Sequence, residues 1–210
     1  MCATERSGEG ANRSDGRSYR EDFQCRPGCS CAATGIPELR LTTRDVADYD
    51  QLMRHRLDVL ADRGVGLSQI QDVIAQMGPM PGACEFLDWL RQRFQVFILS
   101  DTFYEFGMPL MAQLGYPTLL CHRLEVSDDR IVGYRLRQPD GKREAVRALH
   151  ALNYRVVATG DSYNDTAMLA EADAGILFRP PANVVEEFGQ FPVVTDYDGL
   201  GAAFSAALAR

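Results

Sequence analysis

Lysine is almost absent from this chain. Of the 22 basic residues among 210, one is a lysine, Lys142, and the other 21 are arginines. Lys and Arg are not interchangeable where a compact point charge is needed, as at a phosphoryl oxygen. Lys142 is therefore either a lysine retained by chance on a solvated helix face or a residue with a specific role. The motifs near it in the sequence distinguish these two interpretations.

The chain also lacks a positive net charge and long apolar runs. Its net charge of -7 and pI near 5.0 argue against nucleic acid or an anionic membrane as a partner, since both need a basic face. No apolar run approaches the roughly 18 residues of a membrane-spanning helix, and no leader segment is visible. We therefore expect a cytoplasmic protein with reduced cysteines.

A folded pattern is missing from residues 1–34. This range is rich in Ser, Gly, Arg, Glu and Asp, with scarcely an aliphatic residue, which predicts disorder and no strand. Cys25, Cys29 and Cys31 have no second Cys or His pair at zinc-site spacing, so a metal cluster is not favoured. We interpret 1–34 as an unstructured or artefactual N-terminus.

The rest of the chain has two parts. Apolar residues at helical spacing from Thr42 to near Gly64, and again after Ser68, predict a small helical cap over 35–80. From 81 to 210 strands alternate with helices, with strands expected at 95–99, 118–120, 155–158, 175–178 and 193–195. This order predicts an α/β core with a doubly wound, Rossmann-like parallel sheet. The first strand of such a sheet is missing from the pattern.

The strongest chemical signal is the run Gly160-Asp161-Ser162-Tyr163-Asn164-Asp165, which follows an apolar strand and opens a helix. A carboxylate on a turn at the carboxyl end of a buried strand is where α/β sheets bind metal and phosphate. The loop is short enough for Asp161 and Asp165 to serve one Mg²⁺ ion, with Asn164 left to hydrogen-bond.

Two other residues are predicted at the same edge of the sheet. Ser100 closes an apolar run, so its hydroxyl and the following N–H groups would hold a phosphate at a helix start, although a Ser that merely caps a helix is ordinary. Lys142 opens the helix that leads into the strand before Asp161. The set predicts magnesium-assisted phosphoryl chemistry.

In this order, Ser100, Lys142 and Gly160-Asp161-x-x-x-Asp165 resemble the haloacid dehalogenase superfamily, in its phosphoserine phosphatase branch. Five segments are similar to the bifunctional phosphoserine phosphatase/homoserine phosphotransferase type: ILSDTFYEF from 98, PTLLCHRLEV from 117, VGYRLRQ from 132, GDSYNDT from 160 and AGILFRPPANV from 174. The resemblance covers about 35–210.

The resemblance implies a role for each matching residue of the core. Ser100 and Lys142 would hold the transferring phosphoryl group, and Asp161 would ligate Mg²⁺. Asp165 and Asn164 would support the loop.

The resemblance also implies a substrate pocket between cap and core. Arg56 is similar to the family arginine that pairs with the substrate carboxylate, although a solvated helix charge is the alternative reading. Thr102 and Phe103 would line the pocket. The three histidines, His55, His122 and His150, fit no nucleophile–base pattern and are interpreted as structural.

One required residue has no match. The family's aspartate nucleophile stands on the first strand, after an apolar run, in an Asp-x-Asp or Asp-x-Glu sequence. Asp15 and Asp22 follow no apolar strand, and Asp48-Tyr49-Asp50 lies at the start of the cap helix. We expect either a frameshifted or misassigned start of the chain, or a degenerate relative that has lost its nucleophile.

The expected function is a Mg²⁺-dependent phosphoserine phosphatase of serine biosynthesis, impaired by the missing nucleophile, with phosphoryl transfer to homoserine left open. The alternatives are an inactive phosphoamino-acid binder, an unstable remnant, or a phosphatase for a phosphorylated keto sugar of methionine salvage. The expected partner is a small phosphorylated amino acid, and a homodimer is left open.

Overall fold

The computed structural model describes residues 2–5, 36–41 and 48–209. Its strands are β1 (Cys2–Glu5), β2 (Phe94–Phe103), β3 (Thr118–Ser127), β4 (Arg130–Arg135), β5 (Val156–Gly160), β6 (Ala174–Phe178) and β7 (Val193–Val194). Its α-helices are α1 (Tyr49–Asp62), α2 (Leu67–Met77), α3 (Ala83–Arg91), α4 (Tyr104–Gln113), α5 (Gly141–Ala151), α6 (Tyr163–Glu171), α7 (Ala182–Glu187) and α8 (Tyr197–Leu208). Within this part of the chain, no helix combines the length and apolar character that crossing a bilayer requires.

The seven strands form one sheet in the order β4-β3-β2-β1-β5-β6-β7. Strands β2, β3, β5, β6 and β7 run in one direction, whereas β1 and β4 are antiparallel to their neighbours. The predicted doubly wound α/β fold is confirmed, since helices cover both faces of a mostly parallel sheet.

Both faces of the sheet are apolar because helices cover them. Val156 and Ala158 point to the side of α5, α6 and α7, where Val146, Met168 and Val184 are fully buried. Val157, between them, points to the side of α3, α4 and α8. This alternation explains why the strand reads as a continuous apolar run in the sequence.

The prediction that residues 1–34 contain no strand is wrong for Cys2–Glu5. These four residues form β1, antiparallel, with Cys2 opposite both Phe97 of β2 and Ala158 of β5. The middle of the sheet is therefore filled by a segment that carries no apolar strand pattern. The rest of 1–34, including Cys25, Cys29 and Cys31, lies outside the described residues, as does the predicted helix start at Thr42.

Strand β2 also extends further than predicted. It continues to Phe103, which pairs with His122 of β3 after an irregularity that begins at Leu99. Helix α4 therefore begins at Tyr104, and Ser100 lies in extended backbone. The prediction that Ser100 stands at a helix start is wrong, because pairing with the long β3 keeps the chain extended for three more residues.

The helices α1 and α2 and a short 3-10 helix (Pro37–Arg40) pack on the β3–β4 hairpin and the end of β2. Leu39 and Ile70 are almost fully buried in a cluster with Phe103, Leu124 and Ile131. Burial of such side chains is the main stabilising contribution here, at about 1.5–3 kcal/mol for each large aliphatic residue.

A polar contact fixes the start of α2 to the hairpin. The Ser68 N–H and hydroxyl donate to the two oxygens of the Asp129 carboxylate at 2.8 and 2.7 Å, and the Leu67 N–H donates to the Asp129 carbonyl at 2.7 Å. A Cβ at Gly66 would lie 2.1 Å from that carboxylate, so the close approach requires glycine.

Proline at position 3 tests whether β1 belongs to the sheet. Proline cannot donate to a ladder and is not tolerated in a central strand. Ala3→Pro should cost about 2 kcal/mol of unfolding free energy, which corresponds to a fall in Tm of about 4–8 °C. Ala3→Val, which suits a strand, is the control, and an unchanged Tm for the proline variant would show that β1 is not paired.

Candidate active site

The loop between β5 and α6 is organised by Asp165. This side chain is buried, and its Oδ2 accepts from the Asp161 and Ser162 N–H groups, each at 3.1 Å, and from the Ser162 hydroxyl at 2.9 Å. A Cβ at Gly160 would lie only 2.4 Å from the Asp165 Cβ, so glycine is required at the end of β5. Asp165 therefore holds the loop in shape with one of its two oxygens.

The other oxygen of Asp165 binds Lys142. The Lys142 ammonium lies 2.9 Å from Asp165 Oδ1 and 2.8 Å from Asp101 Oδ2. The side chains of Lys142 and Asp165 are only 12% and 10% exposed, whereas Asp101 is 45% exposed. One partner of the lysine is thus locked inside the protein, and the other stands at the surface.

The charges of this group are strongly coupled. Burial alone would lower the pKa of Lys142, but the carboxylates of Asp165 and Asp101 outweigh it, so the pKa of Lys142 is raised. Burial likewise opposes ionisation of Asp165, but the Lys142 ammonium outweighs it and lowers the pKa of Asp165. Both groups are therefore charged at neutral pH.

Asp161 has the opposite character. Asp161 is exposed at the surface, but partial desolvation of its carboxyl by neighbouring atoms, followed by repulsion from Asp165, raises its pKa. A carboxylate that is disfavoured in this way is stabilised by an added cation.

The predicted magnesium site is tested by the groups around Asp161. The resemblance to the haloacid dehalogenase superfamily implies that Asp161 ligates a Mg²⁺ ion. Among the described residues, however, no group of three Asp, Glu, His or Cys could hold a metal. Asp165 has both oxygens engaged and Asp101 pairs with Lys142. The described part of the chain thus supplies Asp161 and does not by itself fit a Mg²⁺ ion, which needs several oxygen ligands.

The remaining core residues of the prediction lie around the same edge. Ser100 is half-buried, and its Oγ accepts from the Thr102 N–H at 3.2 Å. Asn164 is exposed in the first turn of α6. The structure thus brings Ser100, Lys142, Asp161 and Asp165 to the carboxyl ends of β2 and β5, which we call the rim.

Arg56 and Phe103 line a small cavity between helix α1 of the predicted cap and the end of strand β2. The cavity has a volume of about 40 Å³ and is otherwise apolar. The Arg56 Nη2 donates to the Leu41 carbonyl at 2.8 Å, but its Nε is buried and has no hydrogen-bond partner among the described residues. A buried guanidinium N–H without a partner is costly, which makes this arginine a candidate to bind an acceptor.

Three residues near the rim were not identified from the sequence. Asp101 binds Lys142, and its position directly after Ser100 was the available signal. Burial raises the pKa of Tyr49. The positive charge of Arg56 opposes this shift and the negative charge of Asp101 adds to it, so Tyr49 lies close enough to both groups to be affected by their charges.

His122 is the third of these residues. Its pKa is lowered by burial, against the opposing charge of Asp101. The His122 Nδ1 accepts from the Arg137 N–H at 3.1 Å, which places the proton of the neutral ring on Nε2. Its pairing with Phe103 across β2 and β3 could not be read from sequence spacing.

Solved structures share this fold. The structure of a phosphoserine phosphatase in apo form has a TM-score of 0.63 to this chain at 20% identity, covering 79% of this chain and 83% of the other. The similarity concerns the fold and extends over most of both chains.

Sequence relatives are much closer. A phosphoserine phosphatase named ThrH from Pseudomonas aeruginosa is 61% identical over 178 residues, 84% of this chain and 87% of that protein. A phosphoserine phosphatase from Pseudomonas syringae pv. tomato is 60% identical over 178 residues, 84% of this chain and 75% of that protein. The family model for haloacid dehalogenase-like hydrolases matches residues 32–173. With most of its length matched in both ways, the chain belongs to the haloacid dehalogenase-like hydrolases.

Proposed function

We propose that this chain binds phosphoserine between the rim and the cap, and that it hydrolyses the phosphate ester slowly. The observation that carries the proposal is the position of Lys142, a buried ammonium at the carboxyl ends of β2 and β5. The names of the two Pseudomonas relatives, both phosphoserine phosphatases, support the choice of substrate.

The phosphoryl group would bind at Lys142 and Ser100. Lys142 is fixed by Asp165, so its ammonium is held in place before any ligand arrives. Asp101 is the exposed partner, and a phosphoryl oxygen would replace its carboxylate at the lysine. The Ser100 hydroxyl, next to Asp101 in β2, supplies a second hydrogen-bonding group.

The amino-acid end of the substrate would bind below the cap. The Nε of Arg56, which has no partner among residues 36–41 and 48–209, offers a charge-assisted hydrogen bond to a carboxylate. Phe103 is one of the apolar residues that line the same cavity. A cavity of about 40 Å³ holds only a few water molecules, so the cap must move to admit an amino acid. Thr102, between Ser100 and Phe103, would line the passage between the two ends.

Hydrolysis would be slow because β1 carries no aspartate. The resemblance to the family places the nucleophile on the first strand, in the middle of the sheet. In this chain that place is taken by Cys2–Glu5, with the sequence Cys-Ala-Thr-Glu running in the opposite direction. Without an aspartate on β1 to attack phosphorus, the family's covalent route would be lost and the rate would fall by orders of magnitude.

Three finer features remain part of the proposal. Mg²⁺ dependence is supported by the family alone, because the described residues supply one possible ligand, Asp161, and no step of the proposal depends on the ion. A place in serine biosynthesis and transfer to homoserine are supported by the resemblance to the bifunctional type. The keto-sugar phosphatase alternative is less well supported, because its substrate has no carboxylate for Arg56.

The substrate carboxylate is tested with Arg56→Ala. Phosphoserine should bind about tenfold to a hundredfold more weakly to this variant, because a charge-assisted hydrogen bond is lost. Phosphoethanolamine, which lacks the carboxylate, should bind equally to both proteins. Calorimetric titration measures all four affinities, and Arg54→Ala on the exposed face of α1 is the control. An equal loss for both ligands would contradict the assignment.

The coupling of Lys142 and Asp165 predicts a pH-dependent stability. The raised pKa of Lys142 means that its contribution is present at neutral pH and lost only as pH rises through that pKa. The lowered pKa of Asp165 means that its contribution is present above about pH 4 and lost as pH falls through its folded value.

Lys142→Met should therefore cost about 3 kcal/mol of unfolding free energy at pH 7, because Asp165 is left charged and unpaired. The loss of unfolding free energy should become smaller towards pH 4. In the variant the buried Asp165 no longer has Lys142 to lower its pKa, so it takes up a proton there. Denaturant unfolding at both pH values measures this difference, and Arg143→Met on the same helix is the control. A loss of equal size at both pH values would show that the pair is not coupled.

Residual phosphatase activity tests the rim. Any phosphate release from phosphoserine should fall about a hundredfold in Ser100→Ala and in Asp161→Asn, as when one stabilising group is removed from an active site. Asp128→Asn in the exposed turn of the hairpin, purified in the same way, is the control. Unchanged release in all three variants would show that the rim does not carry the reaction.

A further inference from the structure

A positively charged pocket, formed by exposed arginines, lies on the other face of the sheet. It has a volume of about 220 Å³ and is lined by Cys121, Arg123, Arg135, Leu136 and Arg137. Along β3, Cys121 and Arg123 face one side and His122 the other. His122 faces the rim charges, while Cys121 belongs to the core on the side of α4. The pocket is therefore separate from the site at Lys142.

The three arginines of this pocket have no carboxylate partner in the part of the chain that the structure describes. Within the described residues, none of Arg123, Arg135 and Arg137 has an Asp or Glu oxygen within 4.0 Å. The neighbouring acids are engaged elsewhere. Glu105 accepts from the Leu124 N–H at 2.8 Å, and the Glu125 carboxylate lies over Gly133, with Oε2 only 2.8 Å from where a Cβ would stand.

The strand register places two of these charges against each other. Arg123 of β3 is directly opposite Arg135 of β4. Like charges at opposite positions of an antiparallel pair are destabilising. The arrangement also contrasts with the net charge of -7 of the whole chain. An anion bound between the two guanidiniums would turn this repulsion into attraction.

Part of the pocket is held in place before any ligand binds. The Arg137 Nε donates to the Cys121 carbonyl at 3.1 Å, and its Nη2 donates to the Tyr104 hydroxyl at 2.7 Å. That hydroxyl in turn donates to the Leu119 carbonyl at 2.6 Å. The Arg123 guanidinium stacks on the Tyr104 ring, 4.9 Å from its centroid. Ordering long side chains costs free energy when a ligand binds. The contacts of Arg137 and Arg123 already order these two side chains, which lowers that cost.

We propose that this pocket, which is independent of the phosphoserine site, binds a small anion that carries a phosphate group. Three guanidiniums favour a ligand with two or more negative charges over a single carboxylate. The volume of about 220 Å³ is below the range of drug-sized sites, so the ligand is small. Free phosphate and a small phosphate monoester share this chemistry.

The test follows arginine side-chain N–H signals by NMR while inorganic phosphate, or separately phosphoethanolamine, is added to the full chain. The Nε signals of Arg123 and Arg137 should shift and saturate with a Kd below about 10 mM at low salt, and the affinity should fall as salt screens the charges. Saturation by inorganic phosphate alone identifies free phosphate as the ligand, and saturation by both identifies the phosphate group.

A matched pair of variants completes the test. Arg135→Ala should weaken phosphate binding at these signals at least tenfold. Without phosphate it should be at least as stable as the parent, because a repulsive charge is removed. Arg147→Ala, an exposed arginine of α5 paired with Glu144, should change neither property. Backbone signals of Ser100 and Ser162 report the rim separately, so failure of one site is distinguishable from failure of the other. Arginine signals that do not saturate, or an Arg135→Ala affinity equal to the parent's, would overturn the proposal.

Discussion

The ion pairs of Lys142 hold the rim together. The lysine is in α5, Asp101 follows the regular part of β2, and Asp165 is in α6, so one ammonium joins three elements that are distant in sequence. Burying these charges is tolerated because each has a partner of opposite sign at hydrogen-bond distance. Two carboxylates contact this one cation, and the Asp161 carboxyl adds a third acidic group to the rim. An anionic phosphoryl group can bind only if this excess negative charge is reduced, and the exposed Asp101 is the carboxylate free to move away.

The cap imposes a second constraint on the same site. Its apolar side chains bury against the hairpin and Phe103, leaving a cavity too small for an amino acid. The contacts between Ser68 and Asp129 and between Tyr134 and Asp50 are exposed hydrogen bonds, which water can replace at low cost. The apolar contacts are costlier to open. A substrate would therefore be admitted more easily if the cap tilted while keeping its apolar contacts than if the cap separated completely from the core.

Features that depend on neighbouring residues could be predicted from the sequence, whereas features that depend on contacts between distant segments could not. The alternation of helices and strands gave the fold class, and Gly160 to Asp165 gave the loop, because both depend on neighbours in sequence. The pairing of Asp101 with Lys142 joins residues 41 positions apart, and no local pattern reports it. The extension of β2 to Phe103 depends on its partner strand β3, so local propensity could not predict it.

The strand β1 completes the sheet without an apolar sequence pattern of its own. A gap between β2 and β5 would leave buried N–H and C=O groups on both strands without partners, and this cost favours almost any extended segment that reaches it. The backbone of Cys2–Glu5 pairs with both β2 and β5 and supplies these partners. Catalysis demands more, since a strand running parallel to β2 and β5 would end at the rim and present a side chain there. An antiparallel strand has its first residues at that edge, so β1 completes the sheet with Cys2 as its residue nearest the rim.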